Sequence, residues 1–112
     1  YRQHLERKVL IMIKHIVMFK FLDTACGRSK KENLSIASEM LNGLMGKVPT
    51  LLSSQVLINS DSADKSNYDL LLITEFNGFD ELKEYANHPL HLKVVDFIKE
   101  VRESRACVDY EL

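Results

Sequence analysis

At 112 residues, with 46% hydrophobic and 28% charged side chains, the chain suffices for one globular domain with a modest core and is too short for two. Its 15 lysines and arginines against 16 aspartates and glutamates leave a net charge of −1, without the positive field a polyanion needs, so nucleic acid is not an expected partner. The two cysteines, Cys26 and Cys107, lie far apart without CxxC spacing and read as reduced thiols of a cytoplasmic protein with no assigned role.

The opening "YRQHLERK" followed by "VLIMI" (Val9–Ile13) resembles a signal peptide only superficially. Lys14 and His15 break the apolar run, and no small-residue cleavage site follows. No stretch reaches the roughly 18–20 apolar residues that span a bilayer, so no membrane partner is expected. Residues 1–11 are taken as an N-terminal extension and residues 12–112 as the domain.

"IKHIVMFKF" (Ile13–Phe21) alternates, with Ile13, His15, Val17, Phe19 and Phe21 on one face and Lys14, Ile16, Met18 and Lys20 on the other, and predicts a first strand. After a loop with Gly27, Ser29 and Glu32 have capping-box spacing. Leu34, Ala37, Leu41, Leu44 and Met45 then recur at helical spacing until Gly46 and Pro49 stop the helix, which covers Lys30–Met45. "LLSSQVLI" (Leu51–Ile58) is a second strand, the polar run Asn59–Asn67 a flexible connection, and "YDLLLITEF" (Tyr68–Phe76) a third strand. A short helix follows Gly78 through Ala86, Pro89 opens a longer one to about Glu103, and "ACVDYEL" (Ala106–Leu112) closes as a fourth strand.

The order β-α-β-β-α-β, with its second helix in two pieces, predicts an α+β ferredoxin-like antiparallel sheet with helices on one face. The other face carries Ile16, Met18, Leu71 and Ile73. Burying four such side chains contributes on the order of 6–12 kcal/mol, at ~1.5–3 kcal/mol each. A homodimer through this open face is therefore expected, against the alternative of scattered surface apolars.

Four histidines are all the chain has, and two sit in "EYANHPLHLK" (Glu84–Lys93). His91 stands one turn before Val94 and Val95 on the apolar stripe that continues to Ile98 and Val101. Tyr85, three residues after Leu82 and six after Phe79, shares an inward stripe. His15 projects from the strand face with Val17 and Phe19. Tyr85, His91 and His15 thus face one space between sheet and helix, with His88 beside it. A histidine with a pKa near ~6.5 can take a proton from carbon beside a carbonyl, and a tyrosine hydroxyl can hold the developing oxyanion. Each residue also has a purely structural use: His15 and His91 as satisfied core histidines, Tyr85 as a core filler, His88 as a helix N-cap. A metal on His15, His88 and His91 would need all three nitrogens at ~2.0–2.1 Å from one ion. No metal or cofactor is expected, and no phosphate loop, serine elbow or paired carboxylates are visible.

"KHIVMFKF", "YDLLLITEF", "YANHPLHLKVVDFI" and "RESRACVDYEL" together resemble the stress-responsive A/B barrel domain family, with its strand-one K-H-x-V-x-F-K-F and its H-P-x-H, over about Met12–Leu112. Pro49-Thr50 stands where the family has Pro-Gly, and Asn59–Asn67 is rich in serine and charge. The resemblance implies a ferredoxin-like fold that dimerises through its sheets into an α/β barrel. Most members have no assigned reaction, while a branch of plant polyketide cyclases uses the positions of Tyr85 and His91, with that of His15 in the same pocket. Three functions remain open: binding of a small molecule by His15, Tyr85, His88 and His91, a cyclase-like or lyase-like reaction using His91, Tyr85 and His15, and a self-assembling scaffold whose cavity is filled by Phe19, Phe21, Leu70 and Ile98.

Overall fold

The computed structural model describes residues 11–112. The expected N-terminal extension, residues 1–11, lies outside the described residues except for Ile11. The elements run β1 (Ile13–Phe21), β2 (Thr24–Ala25), β3 (Arg28–Ser29), α1 (Lys30–Asn42), β4 (Ser53–Ile58), β5 (Leu70–Phe76), α2 (Phe79–Asn87), α3 (Pro89–Val101) and β6 (Arg102–Glu111). Four strands form an antiparallel sheet in the order β4-β5-β1-β6. This is the expected ferredoxin-like arrangement, with both long segments of the chain's N-terminal and C-terminal strands paired side by side.

Alternation in β1 sorts as predicted. Ile13, Val17, Phe19 and Phe21 are buried, and opposite them on the same face stand Leu70, Leu72, Thr74 and Phe76 of β5. The helices cover this inner face with Leu34, Ala37 and Leu41 of α1, Tyr85 of α2, and Val94, Ile98 and Val101 of α3. On the outer face the register aligns Ile16 with Ile73 and Val108, and Met18 with Leu71 and Ala106, while Leu57 of β4 pairs with Leu71. Within the described chain nothing packs over that face: Val108 is 61% exposed, Leu57 44% and Met18 37%.

The boundaries differ from expectation in physically traceable ways. The capping box at the start of α1 is formed, with Glu32 N–H donating to Ser29 Oγ at 3.2 Å and Ser29 N–H donating to Glu32 Oε1 at 3.0 Å. The helix ends at Asn42, not Met45, because Gly43 caps it and Gly46 turns the chain at φ +85°. Leu44 still enters the core from that turn, while Met45 is exposed. The Gly27 loop proves to be a hairpin between β2 and β3, turned by Cys26 and Gly27 at φ 54° and 72°. Phe79, placed on the inward stripe of Tyr85, is exposed in the first turn of α2. Helix α3 stops at Val101, and β6 begins at once with Arg102, four residues before the predicted start. Its opening "RESR" is a polar edge-strand segment paired to the end of β1, with a register shift at Lys20/Phe21. The Asn59–Asn67 connection is held by hydrogen bonds: Asp64 Oδ1 accepts from Ser66 N–H at 2.8 Å, and Lys20 Nζ donates to the Lys65 and Asn67 carbonyls at 2.7 Å.

Candidate functional site

A cavity of about 480 Å³ lies between the inner face of the sheet and the helices α2 and α3. Its walls are apolar, from Val17, Phe19, Leu72, Val94 and Ile98, and its polar groups are His15, Tyr85 and His91. Three of the four residues singled out from sequence are therefore brought together. The exposed Lys99 and Arg105 and the half-buried Arg102 also line it. A larger hollow of about 960 Å³ lies elsewhere, between Lys20, Lys30, Lys31 and Lys65 and Asp23, Asp61, Asp69 and Glu103. There the opposite charges engage one another, Lys30 Nζ standing 3.5 Å from Asp23 and 3.4 Å from Asp69. It is a charged surface trough, and its size does not make it the better ligand site; shape and apolar lining favour the smaller cavity.

Pro89 sets the geometry of the motif. It occupies the first turn of α3, where a missing N–H leaves no bond unmade. His88 before it is extended (φ −66°, ψ 134°), ends α2 and caps α3, its Nδ1 accepting from Leu90 N–H at 3.1 Å. That local duty engages one ring nitrogen, and His88 is not among the residues lining the cavity. One turn on, His91 points back over α2. Its Nδ1–H donates to the Ala86 carbonyl at 3.0 Å, a partner that can only accept, so Nε2 is left as the basic nitrogen. Burial, followed by the neighbouring His15, Arg105 and His88, lowers the His91 pKa against the opposing pull of that carbonyl, and the ring is neutral at neutral pH.

Tyr85 is 2% exposed and lies between two rings, 4.2 Å from His91 and 5.0 Å from Phe76 by centroid. Phe76 in turn meets His15 edge-on at 6.5 Å. Burial alone pushes the Tyr85 hydroxyl up to about 12, so it is a proton-bearing donor across the physiological range. The Tyr85 and His91 rings are in contact with their planes tilted by 41°. A reacting atom would have to sit beside both.

His15 is held from two sides. Thr74 Oγ1–H donates to its carbonyl at 3.1 Å, and its Nδ1 makes a short contact with Asp109 Oδ1 across the β1–β6 pair. Cys107 Sγ stands 3.5 Å from the same nitrogen. Asp109, Cys107, Arg102 and Arg105 are site neighbours that motif reading passed over. Their signal was alternation along the last strand, where residues 105, 107 and 109 share one face, but the register against β1 was needed to aim that face at His15.

The decisive comparison is with families of known sequence: the stress responsive A/B barrel domain model matches residues 13–112. The chain belongs to the stress responsive A/B barrel domain family. No curated protein matches it. Among solved structures, a dimeric ferredoxin-like protein of unknown function from Bacteroides fragilis is 34% identical, with TM-score 0.76 over 90% of this chain and 96% of that one. A dimeric ferredoxin-like protein of unknown function from Thermobifida fusca is 24% identical, with TM-score 0.79 over 91% and 92%. The hydroxynitrile lyase of Passiflora edulis shares the fold at 13% identity, with TM-score 0.75 over 93% and 95%. The same fold thus occurs in proteins of unknown function and, at 13% identity, in an enzyme. Among the described residues no helix is long and apolar enough to cross a membrane.

Proposed function

We propose that this A/B barrel protein binds a small, mainly apolar molecule bearing a carbonyl group in the cavity between sheet and helices. The observation that carries this is the meeting of Tyr85, His91 and His15 on one hollow of about 480 Å³ with apolar walls from Val17, Phe19, Leu72, Val94 and Ile98, which Lys99, Arg102 and Arg105 also line. Tyr85 supplies a hydroxyl donor for the carbonyl oxygen, and His91 Nε2 an acceptor for an acidic proton beside it. Of the four residues that a scaffold would use to fill this space, Phe19, Phe21, Leu70 and Ile98, two, Phe19 and Ile98, line the hollow, which supports the binding reading.

A second reading has its own support. The Nδ1–H bond to Ala86 and the lowered pKa leave His91 a neutral base at neutral pH, the state that proton abstraction beside a carbonyl requires, with Tyr85 to stabilise the oxyanion. A lyase-like or cyclase-like reaction is the enzymatic form of the same site. We further propose a homodimer through the outer face of the sheet, supported by Ile16, Met18, Leu71 and Ile73 lying there and by dimeric structural neighbours. The reducing cytoplasm suits its two free thiols.

The test is His91→Asn, measured with an aryl alkyl ketone as probe. Asn keeps a donor for the Ala86 carbonyl, so the thermal midpoint should stay within a few degrees, a change under about 1 kcal/mol, while probe binding falls sharply. Stability lowered by roughly 1–3 kcal/mol with probe affinity per folded molecule unchanged would assign His91 to packing instead.

A further inference from the structure

Beside the cavity, three side chains of three donor types converge. His15 and Asp109 are directly opposed across the β1–β6 pair, and Cys107, two residues before Asp109, projects from the same face. One donor atom from each lies within 4.8 Å of the other two. Cys107 Sγ stands 3.5 Å from His15 Nδ1 and 3.7 Å from Asp109 Oδ1. In a tetrahedral zinc site with N and O ligands at ~2.0–2.2 Å and S at ~2.3 Å, donor atoms stand about 3.4–3.8 Å apart. Two of the three edges already have that length. The third, between His15 and Asp109, is shorter because the two hydrogen-bond directly, and an ion would replace that shared proton.

We infer that His15, Cys107 and Asp109 form a three-donor site for a borderline-soft divalent cation, Zn²⁺ in the first instance, with a fourth position for water or a cavity ligand. Nitrogen, thiolate sulfur and carboxylate oxygen form a set that Mg²⁺ and Ca²⁺, which take oxygen ligands, do not match. Thiolate and carboxylate together carry the two negative charges that a divalent ion neutralises. Because the donors come from adjacent hydrogen-bonded strands, with Thr74 fixing the His15 backbone, the site is held by sheet rather than by loop. The histidine set weighed from sequence, His15 with His88 and His91, is a different one; here only His15 is shared, and the inference does not depend on a ligand in the cavity.

The probe is Co²⁺ added to the metal-free, reduced protein, followed by Zn²⁺ competition. The expected result is one equivalent bound with a near-ultraviolet thiolate-to-cobalt band and tetrahedral visible bands, both abolished by Zn²⁺. Cys107→Ser should remove the thiolate band, and Asp109→Asn should weaken binding at least tenfold. Cys26→Ser should change neither, since Cys26 lies on the β2–β3 turn and donates to Glu100 Oε2 at 3.3 Å. Because both thiols are exposed, alkylation mapped by mass spectrometry gives an independent readout: Zn²⁺ should protect Cys107 at least tenfold and leave Cys26 reactive. Circular dichroism establishes that each variant is folded. Absence of a thiolate band in the folded parent protein, a band that persists in Cys107→Ser, or equal alkylation of both thiols with and without Zn²⁺ would overturn the site.

Discussion

The two faces of the sheet are made by the same strands at alternate positions, and they end in opposite situations. On the inner face Val17, Phe19, Leu72 and Phe76 are buried under three helices, and the packing stops short of closing, which leaves the hollow beside Tyr85 and His91. On the outer face Ile16, Met18, Leu71 and Ile73 are as apolar but have no cover within the described chain. Hydrophobicity alone does not say which face is the core; the helices decide it, and they take the face with the aromatic residues. The proposed dimer would cover the outer face, and the proposed ligand would occupy the inner hollow.

The comparison breaks most visibly on the outer face. Ile73→Lys sets a charge at the centre of the proposed dimer contact, where leaving it buried and unpaired costs several kcal/mol. Sedimentation should show monomer or aggregate in place of dimer, while circular dichroism still reports the fold, because the inner core is untouched. An unchanged dimer would move the contact to the helices.

A smaller effect separates two histidines three residues apart. His88→Ala removes the acceptor for Leu90 N–H and should lower stability by about 1 kcal/mol, the scale of a lost N-cap, with ketone affinity unchanged. A specific loss of affinity would return His88 to the site.

Acid titration gives the gentlest test. The folded-state pKa of His91 lies below its unfolded value of about 6.5, so the unfolded chain binds the proton more readily. The stability this contributes is present above about pH 6.5 and is lost as pH falls through the folded pKa. Melting curves between neutral pH and pH 5 should therefore decline less steeply in His91→Asn than in the parent. Equal slopes would mean that the ring is not desolvated.

Much of this was legible because local pattern and tertiary role agree. The alternation of Ile13–Phe21 specified both faces of β1, and His88 before Pro89 read correctly as an N-cap. The stripes of Tyr85 and His91 led to one shared cavity that both residues line, although Phe79 on the same stripe is exposed. Other features were hidden for identifiable reasons. Arg102–Arg105 is an edge strand paired on one side only, so it needs no apolar face and showed no strand signal. Gly43 ends α1 before Gly46 does, and helical spacing continued past it through Leu44, which is buried from a turn. Cys107 and Asp109 were passed over because each is unremarkable alone. Only the pairing of the first strand with the last sets them against His15.

The central claim is that the inner face holds an open ligand cavity beside His91 and Tyr85. A crystallographic density map of the protein, grown once without and once with the aryl alkyl ketone, tests it most directly. The account predicts open space beside the Tyr85 and His91 rings in the first map and ketone density there in the second, its oxygen within hydrogen-bond reach of the Tyr85 hydroxyl. A cavity closed by Phe19 and Ile98 in both maps would contradict it.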